Sequence, residues 1–390
     1  MSKKAILFAA ILLIASVSGR SDPSTGRIRV IMLGEINSGN VHFVQWIGDS
    51  PKFVLTRIAC DINVAGSVSE GKRLVRVYMP RTEERLVNHY DVAIFEDFTP
   101  EVMRIEYLDW FQNSVAKGMG IALIEFVNWL GTNEIQIWMT LRFYELFPAD
   151  VYMNNVEAIL GRTYYRVLNE AGPLNLPGIE DVPMNSGHHG DMGPRSGSTV
   201  EAVWRGRGTP AMVTSSYGQG STLQLAHGWD NIPTRDYRYM LDYIFNTVFC
   251  IAGEPYPDDL DLVHAIREQL VSYRQRRRAT LAVLEFVEKF GANPSGAEQS
   301  LAIMEDSYAQ ASQHYIEADY EMAADILKDL AEGFPAIDEE LMRTKDRALE
   351  WIYLIEWSAV SGVALICGSA LWLLMVRGKL YHEVTATRMR

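Results

Sequence analysis

The sequence is poor in cysteine, which limits the covalent cross-links it can form. Only 3 of its 390 residues are cysteines. Cys367 lies in an apolar stretch near the C-terminus, so Cys60 and Cys250 can form one disulfide at most. The sequence gives no distance between these two residues, and two buried free thiols are the alternative.

Positive charge is also scarce. The chain has 36 lysines and arginines against 49 aspartates and glutamates, a formal net charge of −13. This balance argues against a surface that binds nucleic acid or anionic lipid. Hydrophobic residues make up 48% and charged residues 22%, an ordinary globular composition without a long disordered part. The length allows two folded domains and an anchor.

Long apolar runs are rare, and one alone suits a bilayer. The run from Ser358 to Val376 has no charged residue. As a helix it would span about 28 Å, close to the hydrocarbon thickness of a membrane. We predict a transmembrane helix over 358–376, a juxtamembrane helix over 336–357 and a tail over 377–390. The alternative is a buried helix of a soluble domain, which is rarely apolar on all faces.

The N-terminus determines the predicted direction of that span. Lys3 and Lys4 precede a short apolar run, and small residues follow it. This pattern is typical of a signal peptide, here residues 1–19, with an uncleaved anchor as the alternative. Residues from about 20 to 357 are then outside, and the basic tail is cytoplasmic, in agreement with the positive-inside rule.

The expected location is therefore the cell membrane, with a single pass. The outer part has no Asn-x-Ser/Thr acceptor with a permitted middle residue, which favours a prokaryotic envelope. The lipid bilayer is the predicted partner of residues 358–376. A helical stalk, described below, offers a surface for an envelope protein. We predict no nucleic-acid partner and no cofactor.

Apolar strands alternate with helical stretches in the first part of the chain. Residues 28–33, 53–58, 90–95 and 121–124 are typical of strands buried on both faces. This alternation predicts an α/β domain with an open parallel sheet over residues 28–253.

Two further elements are predicted in this region. We interpret residues 73–78 as another extended segment. Thr99, followed by Pro100, is predicted to cap a helix that runs to about Lys117.

From residue 162 onward the pattern indicates antiparallel pairing. Residues 210–216 and 221–227 flank a Tyr-Gly-Gln-Gly turn, which predicts a hairpin. A helix predicted to start at Thr234 closes the domain.

The chain is helical after Pro257. Residues 257–335 are predicted to form an α-helical stalk, and Pro335 is predicted to separate it from a last helix that starts near Asp338. The spacing of apolar residues over 308–330 predicts an inner seam that includes Met322 and Ile326.

Three segments carry a resemblance to a known family. They read YDVAIFEDF at 90–98, KGMGIALIEF at 117–126 and TPAMVTSSYGQGSTLQLAHGWD at 209–230. Together they resemble the class I glutamine amidotransferase-like superfamily in its ThuA-like branch. The resemblance covers residues 29–253. It implies a flavodoxin-like open parallel sheet, a sharp turn after the second segment and a catalytic histidine near His227.

The sequence departs from that family at the nucleophile. The family's amidotransferases place a cysteine on the sharp turn, between glycines. Residues 124–129 here read IEFVNW, without cysteine or serine, and no acyl-enzyme can form. We therefore assign no catalytic residue, and we interpret His227 as a structural or binding residue.

Polar residues follow the predicted strands. In open α/β sheets, ligands bind at the carboxyl edge of the strands. The candidate ligand-binding residues are Glu35, Asn37, Glu96, Asp97, Glu125, Asn128, His227 and Asp230. The alternative is that these loops are polar because water surrounds them.

One loop could supply metal ligands. His188, His189 and Asp191 lie within four residues of one another. A metal site needs a defined ligand set and geometry, and a polar surface loop is the alternative.

Two functions are open at this point. The first is a membrane-anchored binding or assembly protein with a catalytically inactive amidotransferase-like domain. The second is a ThuA-like envelope enzyme that acts on a carbohydrate or another small polar substrate through carboxylates. The missing nucleophile, the single anchor and the stalk favour the first.

Overall fold

A computed structural model describes residues 25–36, 41–125, 134–151, 163–184, 192–229, 237–289 and 295–387. The predicted signal peptide and the predicted helix start at Thr234 lie outside these residues. The chain divides into two compact units. The first comprises Met1–Val271 and Gln310–Leu327, and the second comprises Ser272–Ala309 and Lys328–Arg390. The domain limits proposed from the sequence stay predictions.

A large sheet forms the centre of the first unit. The strands described are β1 (Ile28–Gly34), β2 (Phe53–Ala59), β3 (Val92–Glu96), β4 (Gly120–Ile124), β5 (Ala149–Val151), β6 (Tyr165–Val167), β7 (Met192–Pro194), β8 (Thr199–Trp204), β9 (Pro210–Tyr217) and β10 (Gly220–Leu225). The large sheet has the order β2-β1-β3-β4-β10-β9-β8-β6, and β5 pairs with β7 separately. The first five strands of this order, β2-β1-β3-β4-β10, pair in parallel. The pairs β10-β9, β9-β8 and β8-β6 are antiparallel. The predicted α/β class with a mostly parallel sheet is confirmed.

Alternation within the strands divides the core between the two faces of the sheet. In β1, Val30 and Met32 belong to one hydrophobic cluster, and Ile31 and Leu33 belong to the other. Every residue of β3 and β4 is buried. Because helices cover both faces, a strand needs apolar side chains at every position, as the continuous apolar runs indicate.

The helices described are α1 (Val41–Asp49), α2 (Ile62–Ala65), α3 (Val68–Tyr78), α4 (Glu83–His89), α5 (Ile105–Ala116), α6 (Glu134–Thr140), α7 (Met240–Ala252), α8 (Leu260–Lys289), α9 (Ser295–Ile316) and α10 (Tyr320–Thr387). Helix α7 packs against β4 and β10, and all but one of its side chains are buried. It also contacts β3 and α1.

The extended segment proposed for residues 73–78 is wrong, because these residues belong to α3. The Ser67 hydroxyl oxygen accepts a hydrogen bond from the backbone N–H of Glu70 at 3.2 Å. This contact caps the first turn of the helix and satisfies a donor that has no partner within the helix. Val75 is buried, while most other side chains of α3 are not. Residues 73–78 are therefore helical, with Val75 on the buried side and with Val77 and Tyr78 exposed.

The helix predicted to start at Thr99 also differs. A short 3-10 turn occupies Pro100–Val102, and α5 begins only at Ile105. The Thr99 hydroxyl donates a hydrogen bond to the Asp61 carboxylate at 2.5 Å. The Thr99 side chain thus joins two strand ends and caps no helix.

Helix α10 continues through Pro335, where a break was predicted. A proline inside a helix removes one backbone hydrogen bond. The apolar face continues on both sides of it, since Phe334, Ile337 and Leu341 are all buried. The Phe334 ring lies 5.6 Å from the ring of Tyr273. This packing stabilises the helix on both sides of Pro335.

The C-terminal part of α10 is long and apolar enough to cross a membrane. Within Tyr320–Lys379 the most apolar window has a mean hydropathy of 2.2, and none of it is buried in protein. Leu365, Trp372 and Leu374 are each at least 60% exposed. Such a surface is stable in lipid and unfavourable in water. One helix of the described chain is thus long and apolar enough to cross a membrane, in agreement with the sequence.

The buried face at the start of α10 differs by one position from the predicted seam. Leu327 is 1% exposed, while Ile326 is only half-buried and Met322 is 47% exposed. Ala323 is fully buried, as predicted. Leu327, four residues after Ala323, therefore takes the place assigned to Ile326.

Replacing Leu327 by aspartate is expected to lower the free energy of unfolding by about 3 kcal/mol, because a charge would be buried without a partner. Ile326→Asp is the matched control, with the same substitution one position away, and its effect should be much smaller. Pulse proteolysis of the full-length protein in detergent over a urea series measures both. Equal losses in the two variants would contradict the position of the buried face.

Candidate functional site

The carboxyl ends of three adjacent strands align at one edge of the sheet. Gly34 of β1 pairs with Glu96 of β3, and Glu96 pairs with Ile124 of β4. Glu35 and Glu125 directly follow their strands. The structure thus places Glu35, Glu96, Asp97 and Glu125 together at the predicted edge, which we call the carboxylate edge.

The backbone at the carboxylate edge is unusual. Asp97 and Glu125 have positive φ angles of 36° and 63°. Side chains other than glycine rarely adopt this region, and such residues cluster at functional sites and sharp turns. Both are held in place by strand-like bonds. The N–H of Asp97 donates to the carbonyl of Ile124 at 3.0 Å, and that of Glu125 donates to the carbonyl of Leu225 at 3.1 Å.

Gly34 allows β1 and β3 to meet closely at this edge. Its φ is +123°, and a Cβ atom there would lie 1.8 Å from the carbonyl oxygen of Glu96. The same carbonyl accepts the N–H of Glu35 at 2.8 Å. A residue with any side chain would separate the two strands where the candidate residues emerge.

Glu96 joins the carboxylate edge to the segment after β10. Its side chain is 2% exposed, and Oε1 accepts the backbone N–H of Trp229 at 3.0 Å. A buried carboxylate is unfavourable unless hydrogen bonds compensate its desolvation. This bond therefore fixes the position of the Trp229 backbone relative to β3.

Both ring nitrogens of His227 are occupied. Nδ1 lies 2.7 Å from the carbonyl oxygen of Gly228, and Nε2 contacts the hydroxyl of Tyr165. A carbonyl only accepts, so Nδ1 carries the proton in this geometry. Nε2 of the neutral ring then accepts the Tyr165 O–H. His227 is 2% exposed. With both nitrogens engaged and the ring buried, His227 is suited to holding its neighbours in position. It is less suited to act as a general base.

Two buried tyrosines complete the cluster. Burial raises the pKa of Tyr165 well above its ordinary value. Burial is also the main cause that raises the pKa of Tyr243, and the nearby Glu96 carboxylate adds to it. Both hydroxyls therefore stay protonated at neutral pH. The Tyr243 hydroxyl also interacts with the side chains of Tyr165 and Trp229. These contacts join the buried aromatic side chains next to Glu96.

Asp61 belongs to the same edge and was not predicted. It follows β2, is 1% exposed and accepts the N–H and the O–H of Thr99. Nearby, the Asn63 amide donates to the Glu35 carboxylate at 2.9 Å. Asp61 follows a strand, as the predicted residues do, so the sequence offered a signal for it. The sequence analysis also missed three aromatic residues, Tyr165, Trp229 and Tyr243. No local signal indicates them, because Tyr165 comes from β6 and Tyr243 from α7, which are distant in sequence from the other strand ends.

Several predicted residues cannot be placed. Asn37, Asn128, Asp230, His188, His189 and Asp191 lie outside the described residues. Within the part of the chain that the structure covers, no group of three or more histidine, cysteine, aspartate or glutamate side chains could hold a metal ion. The proposed metal loop therefore stays a prediction.

The cysteines outside the membrane span are free and unreactive. Cys60 is fully buried and Cys250 is half-buried, and neither forms a disulfide. Burial raises the pKa of the Cys60 thiol to about 12 and that of Cys250 to about 11. At neutral pH both are thiols. The thiolate is the nucleophilic form, so neither residue is activated for attack.

Comparison with known proteins gives no family assignment. No family model matches the chain, and no curated protein matches it. Solved structures give partial likenesses. Cytoplasmic Protein STM1381 from Salmonella typhimurium LT2 is 13% identical with a TM-score of 0.44, over 58% of this chain and 98% of that one. Cytoplasmic Protein STM3548 from Salmonella typhimurium is 16% identical with a TM-score of 0.46, over 57% and 99%. The mmIFT52 N-terminal domain is 11% identical with a TM-score of 0.38, over 59% and 99%. Likeness at this level supports no inference about ligand, activity or partner.

Proposed function

We propose that this protein is a single-pass, membrane-anchored binding or assembly protein whose extracytoplasmic α/β domain has no glutaminase activity. The domain would be an inactive relative of the amidotransferase-like, ThuA-like proteins. Its ligand or partner would contact the carboxylate edge, while α10 anchors the chain in the bilayer.

The proposal depends on the residue that directly follows β4, which is a glutamate and not a cysteine. Glu125 has the left-handed backbone of a sharp strand-to-loop turn, where the related amidotransferases hold their cysteine. Its side chain is 6% exposed and offers a carboxylate instead of a thiol. The free cysteines Cys60 and Cys250 are protonated and lie in other elements. Without a thiolate at this turn, the covalent step of glutamine hydrolysis has no nucleophile.

The strand order supports a flavodoxin-like interpretation of the domain. The parallel strands lie in the order β2-β1-β3-β4-β10. Numbered among themselves along the chain, they have the 2-1-3-4-5 order of flavodoxin-like sheets. In such sheets ligands bind outside the carboxyl ends of the strands, where the carboxylate edge lies.

The full-length protein in detergent is expected to release no ammonia from glutamine above the rate without protein. The reason is the missing thiolate at the β4 turn. A coupled ammonia assay measures this, and the Cys60→Ala/Cys250→Ala protein is the control. Turnover that this double substitution abolishes would overturn the proposal.

A carboxylate-dependent enzyme is the second candidate. Glu96 and Glu125 are both buried, and they extend from neighbouring strand ends. Two carboxylates in different surroundings are the usual basis of acid-base catalysis. Turnover of a sugar or another small substrate that survives the cysteine substitutions and is lost in Glu125→Gln would favour this candidate.

The proposed orientation has its own test. Protease added to spheroplasts should digest the folded part of the chain and leave only a fragment that contains residues 358–390. We expect this because basic residues follow the span on one side. Detergent-treated spheroplasts, in which the tail is also accessible, are the control. Protection of the folded part in intact spheroplasts would reverse the orientation.

A further inference from the structure

A cavity of about 400 Å³ lies in the first unit, apart from the carboxylate edge. Its lining comes from the loop after β6, from α7 and from the segment that leads into α8. Residues that line it include Glu170, Asn175, Asn246, Tyr256 and Asp258. None of the candidate residues of the carboxylate edge is among them.

The cavity presents negative charge without a balancing positive charge. Glu170 and Asp258 are exposed, and every charged residue in the lining is acidic. Neither carboxylate forms an ion pair with any described residue. A mobile cation is therefore attracted to this opening more than to a surface of mixed charge.

A third carboxylate lies directly behind the wall. A Cβ atom on Gly172, which lines the cavity, would lie 2.0 Å from Oε2 of Glu201. Glu201 is 3% exposed, and its oxygens accept hydrogen bonds from Asn169 and Thr214. Both donors are neutral, so the negative charge of Glu201 adds to the field in the cavity.

A buried acceptor in the lining indicates the kind of group that fits. Asn246 is 4% exposed, and its Oδ1 has no hydrogen-bond donor among the described residues. An unpaired buried acceptor is unfavourable, and a ligand that donates hydrogen bonds would satisfy it. The half-buried Tyr256 adds an aromatic ring, whose face also attracts cations.

We propose that this cavity binds a small organic cation that carries ammonium groups. An ammonium group supplies three donors and a positive charge, and it accepts no hydrogen bonds. It therefore matches a site of acidic side chains, an unpaired amide oxygen and an aromatic ring. A neutral polyol matches the hydrogen bonds and lacks the charge, and an anion would be repelled.

Putrescine and 1,4-butanediol are a matched pair of probes, because they share a carbon chain and differ in their charged ends. Isothermal titration of the full-length protein in an uncharged detergent should show binding of putrescine. No binding of the diol is expected up to roughly 10 mM, beyond the range of weak specific sites. Added salt should weaken putrescine binding, because it screens partly exposed charges.

The variant Glu170→Gln/Asp258→Asn should weaken putrescine binding about tenfold, since two partly exposed charge contacts are lost. The control Glu84→Gln/Asp325→Asn removes the same charge from exposed positions outside the cavity lining and should bind like the native protein. Both pairs are at the surface, so the fold should be retained, and circular dichroism checks this. No binding of putrescine, equal binding of the diol, or equal weakening in the two double variants would overturn the proposal.

Discussion

The Gly34→Ala protein is expected to lose about 3 kcal/mol or more of unfolding free energy, and any ligand bound at the carboxylate edge should be lost with it. The added methyl group would lie 1.8 Å from the Glu96 carbonyl oxygen, which is backbone and cannot rotate away. The strands would have to separate. The φ of +123° adds strain of its own, because alanine rarely adopts it.

Substitutions at two other glycines distinguish the steric clash from the backbone strain. Gly66 also has a positive φ, of +78°, but nothing lies within 4 Å of its Cβ position. Gly66→Ala should therefore cost only about 1 kcal/mol, from backbone strain. Gly48 lies in α1 with its nearest neighbour at 3.6 Å, and Gly48→Ala should be neutral or stabilising. Pulse proteolysis over a urea series ranks the three proteins. A Gly34→Ala protein as stable as Gly66→Ala would show that the strands do not meet as closely as described.

Removing Asp242 is expected to destabilise the first unit by about 3–5 kcal/mol. Asp242 is fully buried on α7. Its two oxygens contact Nη1 of Arg267 at 2.6 Å and Nδ1 of His264 at 2.5 Å. Arg267 is 1% exposed, and its Nε donates to the Tyr315 hydroxyl at 3.0 Å. Asp242→Ala would leave this guanidinium charge buried without a counter-ion.

A second variant shows whether charge is the cause. In Asp242→Leu/Arg267→Met both buried charges are replaced by apolar side chains of similar size. Such replacements are often neutral or stabilising, so most of the lost stability should return. The exposed pair of Arg73 and Glu70 is the control, and Glu70→Ala should change little because water screens that contact. A double variant as unstable as Asp242→Ala would indicate that packing, and not the unpaired charge, explains the loss.

The sheet could be predicted where local pattern and burial agree. Strands β1, β3 and β4 are buried on both faces, so continuous apolar runs indicated them within a residue or two. The pattern misled where a single side-chain hydrogen bond decided the structure. Residues 73–78 form a helix because Ser67 caps it, and Thr99 caps no helix because its hydroxyl binds Asp61. The Ser67 contact depends on the first turn of α3, and the Thr99 contact depends on a residue that is distant in sequence.

The candidate site was predictable only in part, for a similar reason. Glu35, Glu96 and Glu125 follow strands, and the carboxyl ends of parallel strands necessarily meet at one edge. The contacts of His227 with Tyr165, and the approach of Tyr243 to Glu96, arise from the packing of β6 and α7 onto that edge. No spacing along the chain encodes these approaches, so the aromatic half of the site required the structure.

The unbroken course of α10 has a mechanical consequence. A helix resists twisting and stretching along its axis, and the 68 residues of α10 would measure about 100 Å from end to end. No loop interrupts it between the buried residue Leu341 and Arg377 beyond the apolar span. In the proposed topology, a twist or a pull applied at one end of this stretch would therefore be transmitted through the helix to the other side of the bilayer. One residue inserted into this stretch would turn the tail by about 100° and advance it by about 1.5 Å.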